Sequence, residues 1–428
     1  MKNALTIIPL RVVFQIIKYG KMGCQTTLKI GVHELKLRFW LIDINYQIIN
    51  REPNILMWGV SESGERVLVV DRRFRPYFYV VPRRGVDIEM LKAKIMKLNN
   101  VRSPILSLEA AEKKYYGKLI KVLKLVTLMP DQVPAYREAI KNIPEVEDCL
   151  EADIRFYMRY LIDNDVQPSG WNEAEVVEHP SPLKASVDKQ YILTGNIRRV
   201  ESSILPQLKT VSFDIEVLNP LGNPRPEKDP IIIVSVVADG KSKVQFIADG
   251  NDDKPVIKSF VEFIRKLDPD IIAGYNSNGF DWPYLVSRGK HVGIKINVNR
   301  FGGEPHPSVY GHISIIGRAN VDLYDFAEEL TEVKVKSLEN VADYLGVMEK
   351  DKRILIDWTE MAEYWNDPSK RPIFIKYAMQ DAESTQGLAE KFIPFGIQLS
   401  SLTGLPLDQV VAAAVGFRVE SVSYTHLT

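Results

Sequence analysis

The segment Val211-Ser212-Phe213-Asp214-Ile215-Glu216-Val217 sets two carboxylates into an otherwise apolar run. In a strand, side chains at i and i+2 point to the same face, so Asp214 and Glu216 project together. Two adjacent carboxylates repel and need protons or a cation as compensation. A fold that contains this strand must either leave that face solvated at a sheet edge or build a site that uses the charge. Taken alone, the pair fits both.

The surrounding pattern predicts a mixed sheet covered by helices. Residues 231–239 and 243–250 read as further strands, 254–266 as an amphipathic helix, 268–270 as a turn, and Ile271-Ile272-Ala273-Gly274 as a short apolar strand. Residues 281–289 read as helical and 320–324 as extended, Ser337 caps a helix that stops at Gly346, and 357–365 and 373–392 are helical. Upstream, strands are expected at 39–50, 55–58, 66–70, 72–82 and 119–128, and helices at 87–98 and 133–142, with Pro134 in the first turn. That is an α+β module with mostly antiparallel strands. Pro168, Gly170, Pro180, Pro182 and Gly195 break up the stretch between them, which reads as a linker or insertion.

Composition narrows the function classes. The 428 residues carry 55 basic and 55 acidic side chains, with 45% hydrophobic and 26% charged residues. This excludes a disordered, collagen-like or membrane-integral chain and predicts two or three domains. Zero net charge argues against nucleic-acid binding by bulk charge, although a local basic groove is compatible with it. Cys24 and Cys149 lie far apart, so neither a disulfide framework nor a zinc site is signalled. Residues 1–38 read as a poorly specified extension; the apolar run from Ala4 to Ile17 is interrupted by Pro9 and Arg11 and is too short to span a bilayer.

Two further motifs follow the carboxylate pair. Tyr275-Asn276-Ser277-Asn278-Gly279-Phe280-Asp281 comes directly after the apolar strand, with Asp281 near the first turn of a helix, where helix capping would also explain it. Tyr377-Ala378-Met379-Gln380-Asp381 lies in a helix, where a spacing of four puts the hydroxyl and the carboxylate on one face, as in any amphipathic surface. Together, Asp214, Glu216, Asp281 and Asp381 offer hard oxygen ligands suited to Mg²⁺ or Mn²⁺. Carboxylate sites of this kind hold two ions about 3.5–4 Å apart, one activating water and one stabilising the leaving oxygen of a phosphodiester. Tyr377 is placed to orient or help deprotonate that water.

The ordered set FDIE, YNxxxFD and YxxxD resembles the three exonuclease motifs of the family B DNA polymerases, with intervals typical of archaeal members. The resemblance implies an RNase H-like 3′→5′ proofreading domain with a DEDD site of the Tyr subtype, metals on Asp214, Glu216, Asp281 and Asp381, and Asn276 and Phe280 holding the frayed 3′ end. Upstream, FRPYFY, PDQVPAYR and DIRFYMRYLID are similar to the amino-terminal domain of the archaeal members, where a pocket captures uracil in the template strand. The matching positions are Tyr46, Pro76, Tyr77, Pro130, Val133, Ile154 and Arg159. Such a wall could admit a flat pyrimidine and exclude a 5-methyl group, and a small hydrophobic core would use the same residues.

The fold class expected is therefore α/β and α+β multidomain. Residues 39–165 form the amino-terminal domain, 166–205 a linker or insertion, 206–392 the exonuclease domain, and 393–420 a segment returning toward the amino-terminal domain and palm. Residues 421–428 do not resemble the family's continuation and are expected to be a non-native tail. Motifs of the polymerase site (DxxSLYPS, KxxxNSxYG, DTDS) are absent, so the expected activity is DNA exonuclease without polymerisation. The implied partners are a single-stranded 3′ end and template DNA, with a sliding clamp contacted only through a missing C-terminal part. No membrane is implied, and the location implied is cytoplasmic and nucleoid-associated. The alternatives are a DNA-binding module sensing deaminated bases, with Arg72, Arg73, Arg75, Tyr77 and Tyr79 as contacts; an RNA-trimming exonuclease of the same carboxylate class; and an inert fragment.

Overall fold

The computed structural model describes residues 34–100, 103–115, 117–202, 204–219, 222–308, 310–357 and 359–426. Most of the expected extension, residues 1–33, lies outside the described residues. Its last residues belong to the fold, because β1 (Leu35–Ile49) starts there and pairs Leu35 with Val176.

β1, β2 (Glu52–Ser61) and β3 (Arg66–Asp71) are consecutive antiparallel strands. They are followed by β4 (Tyr77–Pro82), α1 (Ile88–Met96), β5 (Ile105–Tyr115), β6 (Lys118–Thr127), α2 (Val133–Lys141) and β7 (Val146–Leu150). These last form a four-stranded sheet in the order β5-β6-β4-β7. Leu91 and Ile95 of α1 and Tyr136 and Ile140 of α2 pack with Phe78, Leu123 and Leu125, so both helices cover one face. Asp87 caps α1 by accepting the backbone N–H groups of Glu89 and Met90.

The chain returns through α3 (Phe156–Asp163), β8 (Trp171–Glu178) and β9 (Lys189–Val200), and the strands β1-β2-β3-β9-β8 close a barrel. This corrects the expectation of a linker at 166–205. The Pro and Gly residues there mark strand ends and a bulge, not a loose connection. Gly195 faces Glu175 at the register shift between β8 and β9, where an added Cβ would lie 1.8 Å from a Glu175 carboxylate oxygen. β9 pairs in parallel with β3, an exception to the antiparallel expectation. Phe156, Tyr160 and Leu161 of α3 pack with Phe39, Leu41, Met57 and Val69 to fill the barrel core.

The second half is built on a five-stranded mixed sheet. β10 (Thr210–Val217), β11 (Ile231–Ala238) and β12 (Ser242–Ile247) pair antiparallel. After α4 (Lys254–Leu267), β13 (Ile271–Gly274) pairs in parallel with β10. Then come α5 (Asp281–Val292), the two-residue strands β14 (His306–Pro307) and β15 (Ile313–Ser314), and β16 (Ala319–Asp322), which is parallel to β13. The order β12-β11-β10-β13-β16 puts β10 at the centre. α4 lays Val256, Ile257, Phe260, Val261 and Ile264 on the sheet at helical spacing, and burying each such side chain is worth about 1.5–3 kcal/mol.

α6 (Leu323–Glu328), α7 (Leu338–Tyr344), α8 (Met361–Asn366), α9 (Arg371–Thr403), α10 (Leu407–Ala412) and α11 (Val415–His426) complete the structure. α9 runs unbroken through the boundary expected at residue 392, with Pro394 inside it. Its apolar stripe simply continues, since Leu388, Phe392, Ile393 and Ile397 belong to one buried cluster. The tail expected from 421 begins inside α11, where the Ser421 hydroxyl donates to the Thr403 carbonyl at 2.7 Å. Among the described residues, no helix is long and apolar enough to cross a membrane.

Candidate active site

Three elements bring the carboxylates together. β10, flanked on both sides in the sheet, carries Asp214 and Glu216 on the face covered by α9. Ser212 on that strand donates to the Gln386 side chain of α9 at 2.8 Å, which fixes the helix over the strand. Tyr377 and Asp381 then face the pair one turn apart, and the Tyr377 hydroxyl donates to the Asp381 carboxylate. Carboxylate oxygens of Asp214, Glu216 and Asp381 lie within 4.8 Å of one another. Asp281, in the first turn of α5, stands against β10 and accepts the Ile215 backbone N–H at 3.2 Å, outside that group of three. Glu216, Asp281 and Asp381 are buried, while Asp214 keeps partial access to solvent.

Crowding of like charge in a buried place controls the electrostatics. The Asp214 and Glu216 carboxyls are held well above the usual range, by burial first and then by the neighbouring carboxylates. Asp281 is pushed up to about 7 by burial and by Asp322. Asp381 reaches about 6: burial raises it, while Arg353 and the Tyr377 hydroxyl pull it back. Tyr377, stacked at 9° on Phe374, has its hydroxyl raised by burial and by Asp381, Glu216 and Asp214, so it stays protonated. Three clustered carboxylates with a fourth beside them are a donor set that fits a hard divalent cation, which would relieve this repulsion.

The loop before α5 is locked from below. Asp322, at the end of β16, accepts the backbone N–H groups of Asn276 and Asn278, both at 2.7 Å. Asn276 adopts a left-handed φ of 58°, and its side chain is exposed. Phe280 is half-buried and packs on Tyr284 with ring centroids 5.3 Å apart.

Sequence reasoning missed two residues here. Arg353 is buried and forms an ion pair with Asp381, and its Nη1 donates to Ser384 at 3.0 Å. It arises from a charged turn, Lys350-Asp351-Lys352-Arg353, that carries no local signal. Asp322 did carry one: an Asp ending an apolar strand just before a helix is a capping pattern, and it does accept the Tyr324 backbone N–H.

The seven upstream candidates converge on one place. Tyr46, Pro76, Tyr77, Pro130, Val133, Ile154 and Arg159 all line a cavity of about 460 Å³ between the barrel and the four-stranded sheet. Its walls are braced from behind: Tyr77 donates to Asp163 at 2.7 Å, Arg159 to Glu151 at 2.5 Å, and Tyr46 meets Phe156 edge-on at 5.3 Å.

Residues 147–341 match the family described as DNA polymerase family B, exonuclease domain; this includes Asp214, Glu216 and Asp281 and ends before Tyr377 and Asp381. DNA polymerase 2 of Aeropyrum pernix is 48% identical over 388 residues, covering 90% of this chain and 48% of that protein. DNA polymerase 3 of Saccharolobus shibatae is 33% identical, with coverage of 90% and 49%. The solved family B DNA polymerase of the hyperthermophilic archaeon Pyrobaculum calidifontis superposes with a TM-score of 0.84 at 45% identity, over 90% of this chain and 49% of that one. The chain thus spans about half the length of the relatives it matches. Over that half, with the match to the family B exonuclease domain at its centre, it is similar in sequence and fold to the family B DNA polymerases of archaea.

Proposed function

We propose that this chain is a divalent-metal-dependent 3′→5′ exonuclease that removes nucleotides from a DNA strand end. The observation that carries the reading is the convergence of Asp214, Glu216 and Asp381 within 4.8 Å, beside Asp281, in a chain whose residues 147–341, with three of these four carboxylates, match the family B exonuclease domain. These four carboxylates would hold Mg²⁺ or Mn²⁺, which supplies an activated water and neutralises charge on the phosphodiester. The Tyr377 hydroxyl, held protonated, donates and orients and does not act as a base. Arg353 fixes the Asp381 side chain on the face turned to β10. Asn276 and Phe280, on the loop pinned by Asp322, hold the strand end. Polymerisation, which the relatives' names denote, is not assigned to these residues.

The test is release of mononucleotides from a 3′-labelled single strand with Mg²⁺ or Mn²⁺. Asp214→Ala abolishes it on this reading, and undiminished release by the variant would sink the assignment.

A second reading rests on the 460 Å³ cavity. We infer that it admits a flat, unmethylated pyrimidine, so that the module also senses deaminated bases in a template strand. Binding to uracil- and thymine-containing strands at one fixed salt concentration distinguishes the two bases, and equal affinity rejects this reading.

A further inference from the structure

The edge of the sheet opposite the carboxylates holds a second concentration of charge. Asp270 precedes β13 and Arg318 precedes β16, and the parallel register sets Thr210 beside Ile271 and Ile271 beside Ala319. Asp214 lies four residues further along β10, about 13 Å away at 3.3 Å per residue.

Three guanidinium side chains are buried at this edge, those of Arg66, Arg300 and Arg318, with exposures of 8%, 1% and 1%. Two carboxylates serve them. Asp270 pairs with Arg66 at 2.6 Å and Arg300 at 2.8 Å, and Asp268 pairs with Arg300 at 3.2 Å and Arg318 at 2.8 Å. Asp188 is exposed and accepts the Arg66 backbone N–H, not its guanidinium. The three buried guanidiniums thus share two directly paired carboxylates, with Asp188 adding its charge to Arg66 from the surface. Arg318 registers this: its guanidinium is held down to about 10, by burial first and Arg300 second.

A cavity of about 480 Å³ opens onto Arg300 and Arg318, a size within the roughly 300–1,000 Å³ of small-molecule pockets. At its mouth stand Lys184, Arg265 and Lys266, all exposed and without an ion pair among the described residues. The acidic lining residue is Glu262, which faces Lys258 at 3.9 Å. Asn299 also lines the cavity; its Oδ1 is taken by the N–H groups of Phe301 and Gly303, which leaves its amide NH₂ as donor. Lys184, Arg265, Lys266 and the Asn299 amide thus converge on a space that offers almost no negative charge, over a buried positive floor of Arg300 and Arg318, whose guanidiniums already donate to Asp268, Asp270 and the Gly317, Val298 and Pro269 carbonyls.

We propose that this cleft binds a phosphate-bearing anion, separately from the carboxylate site. Guanidinium forks and ammonium groups match tetrahedral phosphate oxygens in charge and geometry. The phosphate has two possible sources, a free phosphate and the phosphodiester backbone of a nucleic-acid strand.

The test compares the 428-residue chain with its R265E/K266E variant, both in EDTA. These are surface positions, so the variant keeps its fold, which its far-UV circular dichroism verifies. Inorganic phosphate at 10 mM, against chloride at equal ionic strength, raises the Tm of the parent by about 1–2 °C and leaves the variant unmoved. In a second arm, a single-stranded dodecamer binds the variant at least 10-fold more weakly if the backbone is the source, and equally well if free phosphate is. The same phosphate-induced rise in both proteins, or none in the parent, overturns the proposal.

Discussion

Replacing Asp281 by Asn isolates the cost of burying one carboxylate of the site. Asp281 is 4% exposed, and its carboxyl is raised from 3.8 to about 7 by burial and Asp322, against the hydrogen bond from Ile215. An acid whose folded pKa exceeds its unfolded one favours folding only while it is protonated. Its contribution is complete below about pH 4 and is lost as the pH rises through 7. A shift of about three units is worth about 4 kcal/mol. Asn carries no charge, yet its Oδ1 still accepts the Ile215 N–H. In EDTA, urea denaturation therefore finds the two proteins similar near pH 4 and D281N more stable by up to about 4 kcal/mol at pH 8. Adding Mg²⁺ narrows the gap, because the parent gains more than the variant. Equal stabilities at pH 8 in EDTA, or a parent that becomes more stable than D281N as the pH rises, would refute the argument.

Tyr377→Phe removes an orienting hydroxyl that does not titrate, so 3′ release slows by roughly 10- to 100-fold while the pH–rate profile keeps its shape up to pH 9; disappearance of an alkaline limb would contradict this. Arg353→Met leaves Asp381 buried without its counter-ion, costing about 3–5 kcal/mol in EDTA. The stabilisation by Mn²⁺ then exceeds that of the parent, and a smaller Mn²⁺ shift in the variant would count against Arg353 as the internal counter-ion. Phe260→Ala empties a fully buried position packed on Phe213 and Trp282, at a cost of about 3–5 kcal/mol by denaturation.

Elements whose apolar spacing is decided locally were legible before the fold was known. α4 starts at the expected residue and ends one residue later than expected, and β10 and β13 fall where their apolar runs predict. β8 and β9 were not, because their punctuation by Pro and Gly resembles a linker until the barrel partners β1 and β3 supply the register. The same limit applies at the site. Asp214 and Glu216 announce themselves as charge in an apolar strand, and Asp381 through its spacing from Tyr377. Arg353 becomes meaningful only when α9 brings Asp381 over it, a contact spanning 28 residues that no periodicity encodes. The cavity residues span Tyr46 to Arg159 and meet only because a helix and two separate sheets share one seam.

α9 does more than hold Tyr377 and Asp381 in place. Its far end is fastened to the barrel: Ser400 donates to Ser169 at 2.8 Å, and Ser401 accepts from Gln167, both in the connection between α3 and β8. Asp381 lies about 20 Å before Pro394 along this rod, so the rod acts as a lever with its weakest joint in the middle. A bend of about 3° at that joint carries the carboxylate about 1 Å, a displacement that can cost 10²-fold in rate. Alignment of the carboxylates is thus geared to the posture of a barrel that contributes none of them.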